Sequence, residues 1–509
     1  MLKKTFALLT LVSISCSTNP DIQNREQKKL RIASAEDFSN LDPRKGRSLA
    51  TMDLMHLLYE GLYKPTRGVG VKPGVAQEVT ISEDGMTYRF LLRHCKWSDG
   101  AEVSSNDFLE SWKSTLNSQF AAPNAYQLFV IQNAQDIYDG KMAAESLGVE
   151  TPDEQTLIVH LKEPTQSFLQ MVATPPFFPV PSHALTDELL LPKGERPITN
   201  GPFTVESWRP QCDMTLKKNS QYWAISDSYP TTIVSTIVDE NTALSLFEKN
   251  ELDWIGSPLS SIPTDAIPDL RTTNKLRVAP AAATHFVRIN TRKDQFKSVA
   301  VRQTISQAVQ RDEITDHILQ GGQKPAESLL PKEFGLLKTP LQLNQALPRD
   351  VFANEVPTFS LSFVANDRMS KLAQALQSQW TNALGIEITL TPCDSKSLFQ
   401  KLKTGDYDLA LGAWYADFLD PMNFLAVFER SDNGTNNTGW QNSDYQELLA
   451  QARKTRNDEE RTNLFLKADR LLSEESPISP LYYASYNFLS SKQYSNCTVT
   501  PLGAISFEE

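Results

Sequence analysis

Residues 358–412 constrain the fold more than any other part of the chain. TFSLSFVAN (358–366) sets Phe359, Leu361 and Phe363 at every second position, the period of a strand. SKLAQALQSQWTNALG (370–385) carries helical apolar spacing and ends on a glycine stop. IEITLTP reads as a second strand, SKSLFQKLKTG as a second helix and DYDLALG (406–412) as a third strand. Strands joined through helices run parallel, since a tight hairpin joins only antiparallel ones. The stretch therefore predicts two consecutive right-handed crossover units and an α/β fold. Open sheets of this kind bind ligands outside the carboxyl ends of their strands, near points where strand order reverses. AWYADFLDP (413–421) begins where the third strand ends, which places it at a crevice.

Other elements follow the same logic. KLRIASA (29–35) is a strand and Thr51–Tyr59 a helix. TYRFLLR (87–93) is a strand between the turns EDG and WSDG, and a helix starts after Ser104, with Asp107 three residues on. QTLIVHLKEP (155–164) is a strand stopped by Pro164, and the Pro-rich TPPFFPVPSHAL (174–185) reads as a crossing between domains. Residues 200–223 form a hairpin and TTIVSTIV (231–238) a strand. ENTALSLFEKNELDW is a helix leading into a short edge strand, and FVRIN (286–290) is another strand. SVAVRQTISQAVQRDEITDHILQGG reads as one long helix stopped by Gly321 and Gly322.

A chain of 509 residues has room for two to four domains. Its net charge of −11 argues against nucleic acid as a partner, because phosphate contacts need clustered Lys and Arg. MLKK followed by TFALLTLVSIS is a basic then apolar run, too short to span a bilayer, ending at Cys16. Residues 1–16 are therefore predicted to be an export signal and residues 17–28 a polar tether. The stretch resembles a bacterial lipoprotein signal, which implies lipidation at Cys16, although Ser13 stands where that signal usually carries Leu. Simple cleavage is the alternative. Export permits disulfides, and Cys95, Cys212, Cys393 and Cys497 allow three pairings; free thiols are equally open.

No nucleophile elbow, phosphate loop, dinucleotide fingerprint or zinc-protease motif is present, and the six His do not fall at ligand spacings. No metal or cofactor is implied. Asp417 and Asp420 are the remaining candidates for chemistry. Asp420 precedes Pro421, which favours a turn or cap. Asp417, among Trp414, Tyr415 and Phe418, is the better functional candidate, since an apolar surround strengthens its pull on a cation. A helix cap or a solvated loop would account for it equally well.

Several stretches together resemble the extracytoplasmic oligopeptide- and dipeptide-binding proteins of ABC importers. They are LLYEGLY (57–63), KWSDG (96–100) with NDFLESW (106–112), NGPF…QYW (200–223), VRQTISQAVQRDEI (301–314) and WYADFLDPMNFLAVF…NTGWQNSDYQELLAQA (414–452). The resemblance implies a type II periplasmic-binding-protein-like α/β fold, two lobes around a hinge-closed cleft plus an extra mixed α+β domain. It implies a first lobe of residues 29–60, 183–284 and 485–509, an extra domain of 61–182 and a second lobe of 285–484. It also implies an Asp417 that pairs with a ligand's α-amino group beside Trp414, Tyr415 and Ala416. Tyr482 or Tyr483, Ser257 and Tyr126 would be further ligand contacts. The partners implied are a peptide, a membrane permease and a lipid anchor, with the protein monomeric and periplasmic or otherwise extracytoplasmic.

This chain departs from the family in places. Tyr415 stands where well-known Gram-negative members have a disulfide Cys, and Leu411 where an Arg meets a short ligand's carboxylate. A cleft Trp is missing around Ser395, and a family Asn falls near Gly256 or Ser257. Three other readings stay open: the same fold with murein peptides or another solute, a hydrolase using Asp417 and Asp420, and a ligand-free adhesin.

Overall fold

The computed structural model describes residues 28–507 apart from 39, 47, 69, 186–195, 333–351, 353–356 and 433. The export signal, Cys16 and all but the last residue of the tether lie outside the described residues. Among those described, eleven strands join one sheet: β1 (Lys29–Ser34), β2 (Phe203–Arg209), β3 (Asp213–Lys218), β4 (Thr232–Ile237), β5 (Trp254–Gly256), β6 (Arg277–Ile289), β7 (Lys324–Pro325), β8 (Thr358–Val364), β9 (Glu387–Cys393), β10 (Leu409–Tyr415) and β11 (Ile478–Ser490). Their order is β9-β8-β10-β6-β11-β5-β1-β4-β3-β2, with β7 added against β11.

The alternation at 358–412 folds as its periodicity predicts. β8 pairs in parallel with both β9 and β10. Helices Asp367–Leu384 (α1) and Ser395–Thr404 make the connections, each closed by a left-handed glycine, Gly385 or Gly405. Because β8 lies between β9 and β10, the first crossover runs outward from β8 to β9 and the second returns past β8 to β10, so strand order reverses there. Open sheets bind ligands outside the carboxyl ends of strands at such a reversal.

Two 13-residue antiparallel strands, β6 and β11, run through both halves of the sheet. Their register slips between Pro280 and Thr284. On one side of the slip, β11 pairs with β5; on the other, β6 pairs with β10. Separate apolar cores lie to either side, one including Trp254 and Phe488, another Leu361, Leu376 and Trp380, a third Phe286, Phe424 and Phe428. A four-stranded antiparallel sheet, from Ala76–Ile81, Thr87–Leu92, Thr156–His160 and Val149–Asp153, stands apart from the large one.

Asp107 explains the KWSDG and NDF stretches physically. It sits in the first turn of helix Ser105–Leu116 and is buried. One oxygen accepts from the Ser104 N–H (2.8 Å) and from Trp97 Nε1 (3.0 Å); the other accepts from the N–H of Ser182 (2.9 Å). One carboxylate thus ties a turn, a helix start and the Pro-rich run together.

Three expectations need correction. The 298–322 stretch is not one helix: it breaks after Val299–Gln307 and resumes at Arg311–Glu313, followed by the wider-wound Ile314–Leu319. The break is held from outside the segment, since Arg311 donates to the carbonyls of Ser306 and Pro480, and the N–H of Gln310 donates to Gln379 on α1. β5 is short but interior, between β1 and β11, with Trp254 and Ile255 fully buried. The strand expected at 286–290 begins nine residues earlier, at Arg277, because its small Ala and Thr residues carry no alternation to read. All four described cysteines are free thiols.

Two tests follow from packing. Gly256 has φ +92°, and an added Cβ would lie 2.3 Å from the Asn487 carbonyl oxygen and 2.8 Å from Phe488 Cα. Gly256→Ala is expected to cost about 3 kcal/mol in denaturant melts. Asp469 is fully buried, accepts only weakly from the Leu329 N–H (3.3 Å), and burial raises its pKa to about 7; Asp53 is raised to about 7 for the same reason. Between the ordinary value of 3.8 and that raised value, the folded chain holds protons the unfolded chain has lost. Stability therefore falls as pH rises through this window, by about 1.4 kcal/mol per pH unit for each group. Asp469→Asn is expected to reduce that slope by one group's share in denaturation series between about pH 4.5 and 6.5; an unchanged slope contradicts the assignment.

Candidate functional site

β10 ends at Tyr415, and the chain is held against β6 by Ala416 N–H donating to the Ala282 carbonyl at 2.8 Å. The next turn carries both acids, and the structure separates their roles. Asp420 is 5% exposed and caps the short helix Pro421–Leu425 (α2) by accepting from the Met422 N–H at 2.8 Å. Arg461, on helix Asp458–Glu475, grips both of its oxygens at 2.8 and 3.0 Å. Both oxygens are held, by a bidentate Arg pair and a helix-cap N–H, which is the setting of a structural carboxylate.

Asp417 has a different setting. Its oxygen Oδ2 accepts from Tyr126 Oη at 3.3 Å and from Asn423 Nδ2 at 3.4 Å. Both donors are neutral and both distances long. Among the described residues, no Lys, Arg or His forms an ion pair with it. Burial raises its pKa, and the favourable contacts with Asn423, Tyr126 and Gln127 pull only partly the other way. Asn423 is the organiser that sequence reading missed. Its Oδ1 accepts from Trp414 Nε1 at 3.0 Å and from the Asp417 N–H at 3.2 Å, while its amide nitrogen faces the carboxylate. Its position in PMNF gives no motif signal; only the fold brings Trp414, Asp417 and Asn423 together.

A cavity of about 390 Å³ elsewhere on the molecule does not touch these residues; the one beside Asp417 measures about 350 Å³. Tyr126, Val130, Met171, Trp414, Phe418 and Met422 give it a largely apolar wall. Tyr126 and Met171 come from the segment that carries the four-stranded sheet, so the cavity lies between that segment and the β10 side of the large sheet.

Alternation along β10 sends Trp414 and Tyr415 to opposite faces. On the Tyr415 face lies an aromatic cluster. Tyr482 stacks on His285 with ring centres 4.5 Å apart and 14° between planes. Tyr415, 36% exposed, meets His285 edge-on, its hydroxyl 3.3 Å from Nε2. Burial, then the nearby Arg368 cation, lower the His285 pKa to about 3, so this ring is neutral at working pH. Tyr483 points to the other face, with its hydroxyl 3.5 Å from Ser328 Oγ, and does not join the cluster. Ser257 follows β5 in the other half of the sheet and its N–H donates to the Asn487 carbonyl at 2.8 Å. The structure thus gathers Asp417, Trp414, Ala416 and Tyr126 at one point, Tyr415 and Tyr482 at a second, and leaves Ser257 and Tyr483 apart from both.

Comparison with known proteins agrees with this architecture. The family of bacterial extracellular solute-binding proteins, family 5, matches residues 70–436. The oligopeptide-binding protein OppA of Bacillus subtilis is 28% identical over 98% of this chain and 97% of its own length. The periplasmic oligopeptide-binding protein OppA of Salmonella typhimurium is 29% identical over 94% of this chain and 91% of its own. The solved structure of Burkholderia pseudomallei OppA superposes with a TM-score of 0.78 at 25% identity, covering 92% of this chain and 95% of that one. The chain has a type II periplasmic-binding-protein-like α/β fold. On the match across residues 70–436, the chain belongs to the family 5 bacterial extracellular solute-binding proteins.

Proposed function

We propose that this chain is the extracytoplasmic subunit of an ABC importer that captures peptides in the interlobe cleft and hands them to a membrane permease. The observation that carries the reading is Asp417, a carboxylate in an apolar crevice, met by neutral donors and lacking a cation among the described residues. A peptide's α-ammonium group supplies the missing charge, in a setting where weak screening makes the pair strong. The relatives named for oligopeptide binding support the substrate class.

In this reading the lobes are residues 29–60, 183–284 and 485–509, and residues 285–484, with 61–182 as the extra domain. The register slip between Pro280 and Thr284 is the hinge. Contacts across the cleft favour the closed state: Tyr126 to Asp417, Glu163 to Arg453 at 3.8 Å, and Asp265 to Lys371 at 2.8 Å. A ligand drives closure only through what it gains in the closed form, and Asp417 offers that gain because the extra domain covers it there. The main chain of the peptide pairs with crevice backbone, which tolerates varied side chains. The subunit acts as a monomer tethered by lipidated Cys16, and it binds without catalysing, since Asp420 is consumed by Arg461.

Three measurements test this. N-acetylation of a bound peptide, or Asp417→Asn, is expected to weaken binding by about 2–5 kcal/mol in calorimetric titrations; equal affinity for free and acetylated peptides contradicts the clamp. Asn423→Ala is expected to cost about 1–2 kcal/mol of affinity, because the carboxylate loses its orientation rather than its charge. Because the free protein's Asp417 pKa lies above the ordinary carboxylate value, protonation removes the clamp early on acidification. Affinity is expected to fall as pH drops while still above the usual carboxylate range, and Asp417→Asn is expected to flatten that profile.

A further inference from the structure

We propose that the hairpin Thr498–Ser506 braces the turn that carries Asp417, with Leu502 at its tip as the positioning residue; this rests on the hinge and clamp reading above. The hairpin pairs Thr498 with Ser506 and Val499 with Ile505. Thr500 closes its loop: the Thr500 N–H donates to the Ala504 carbonyl at 2.8 Å, and Thr500 Oγ1 accepts from the Ala504 N–H at 3.0 Å. The base is fixed to the β1 side of the molecule. Ile505 donates its N–H at 2.7 Å to the buried carboxylate of Asp53, on helix Leu49–Leu58. The ring of Phe507 meets those of Phe203, on β2, and Tyr229, with centres 6.2 and 5.7 Å away. Arg67 adds bonds to the Asn496 carbonyl (2.8 Å) and to Ser506 Oγ (3.2 Å).

The tip reaches the register slip. β11 pairs with none of Ala281, Ala282 and Ala283, the β6 residues inside that slip. The hairpin supplies a partner there: the Ala282 N–H donates to the Pro501 carbonyl at 2.8 Å. The carbonyl of the same residue accepts from the Ala416 N–H at 2.8 Å. One alanine is thus held by the hairpin through its N–H and by the residue before Asp417 through its C=O. Side chains repeat the connection. Half-buried Leu502 packs against the apolar pair Ala282 and Leu419, as does Ala416. Asp417 lies between the two residues so held, Ala416 and Leu419, and the far end of its turn is fixed by Arg461 on Asp420. A rotation at the slip passes to this turn by direct contact, because close-packed side chains and short backbone bonds shift as a unit. The Asp417 carboxylate is aimed at an ammonium group only while Leu502 is seated.

The experiment compares the wild-type mature protein with Leu502→Ala and Leu502→Met. Peptides of two to six residues are titrated, each with a free and with an acetylated amino terminus, and amide hydrogen exchange is followed in the ligand-free proteins. For the best-bound length, Leu502→Ala is expected to weaken binding of the free-amine form about tenfold and to leave the acetylated form within about twofold. A general loss of stability or of closure weakens both forms alike. Exchange across residues 413–421 is expected to quicken about tenfold in Leu502→Ala while residues 370–385 keep the wild-type rate, which also reports that the variant is folded. Leu502→Met is expected to match the wild type in both readouts, since its similar volume fills the same contact. Equal weakening of both peptide forms, or unchanged exchange at 413–421, overturns the brace while leaving the amine clamp standing. Binding of none of the peptides by the wild type overturns the peptide reading and the positioning role with it.

Discussion

An anion held in an apolar crevice without a cation is the constraint around which the rest of this molecule is arranged. Removing a carboxylate from water is costly unless charge or several hydrogen bonds replace the solvent. At Asp417 the protein supplies long bonds from Tyr126 and Asn423 and a contact with Gln127, all neutral, and burial pushes the carboxyl toward its neutral form. The nearby Asp420 is satisfied completely by Arg461 and the start of α2. Two acids three residues apart are thereby given opposite fates, one fixed in the scaffold and one left wanting a partner. A fold that needed only stability would have no reason to keep the second.

The architecture delivers that carboxylate to the end of β10, where the segment that carries the four-stranded sheet also reaches it. The crevice lies beyond the end of β10, walled by Tyr126 and Met171 on one side and Trp414, Phe418 and Met422 on the other. The long pair β6 and β11 joins the two halves of the large sheet, and its slip at Pro280–Thr284 lies where Ala282 and Ala283 meet the end of β10. In the proposed reading, motion at the slip and contact at Asp417 are coupled through these few residues. Tyr126 reaches Asp417 from the segment that carries the four-stranded sheet.

Local patterns made much of this legible in the sequence. The β8 to β10 crossovers, the Ser104–Asp107 cap and the contrast between Asp417 and Asp420 all rest on periodicity, glycine stops or the residue before a proline. What could not be read depends on partners remote in sequence. The helix at 299–319 breaks where Arg311 reaches out to the Pro480 carbonyl and Gln379 takes the Gln310 N–H, and neither contact leaves a trace in local spacing. β6 runs through Ala and Thr that carry no alternation. Asn423 and His285 have ordinary surroundings in sequence and become site residues only through the ends of β10 and β6. Tyr482 and Tyr483 were equivalent on paper, and strand parity separates them.

The most direct test of the central claim is native mass spectrometry of the mature protein purified gently from its host, alongside Asp417→Asn. The account expects a co-purified ligand that digestion and sequencing identify as peptide with unblocked amino termini, present on the wild type and depleted on the variant. A non-peptide ligand, an N-blocked peptide, or equal occupancy of both proteins would contradict it.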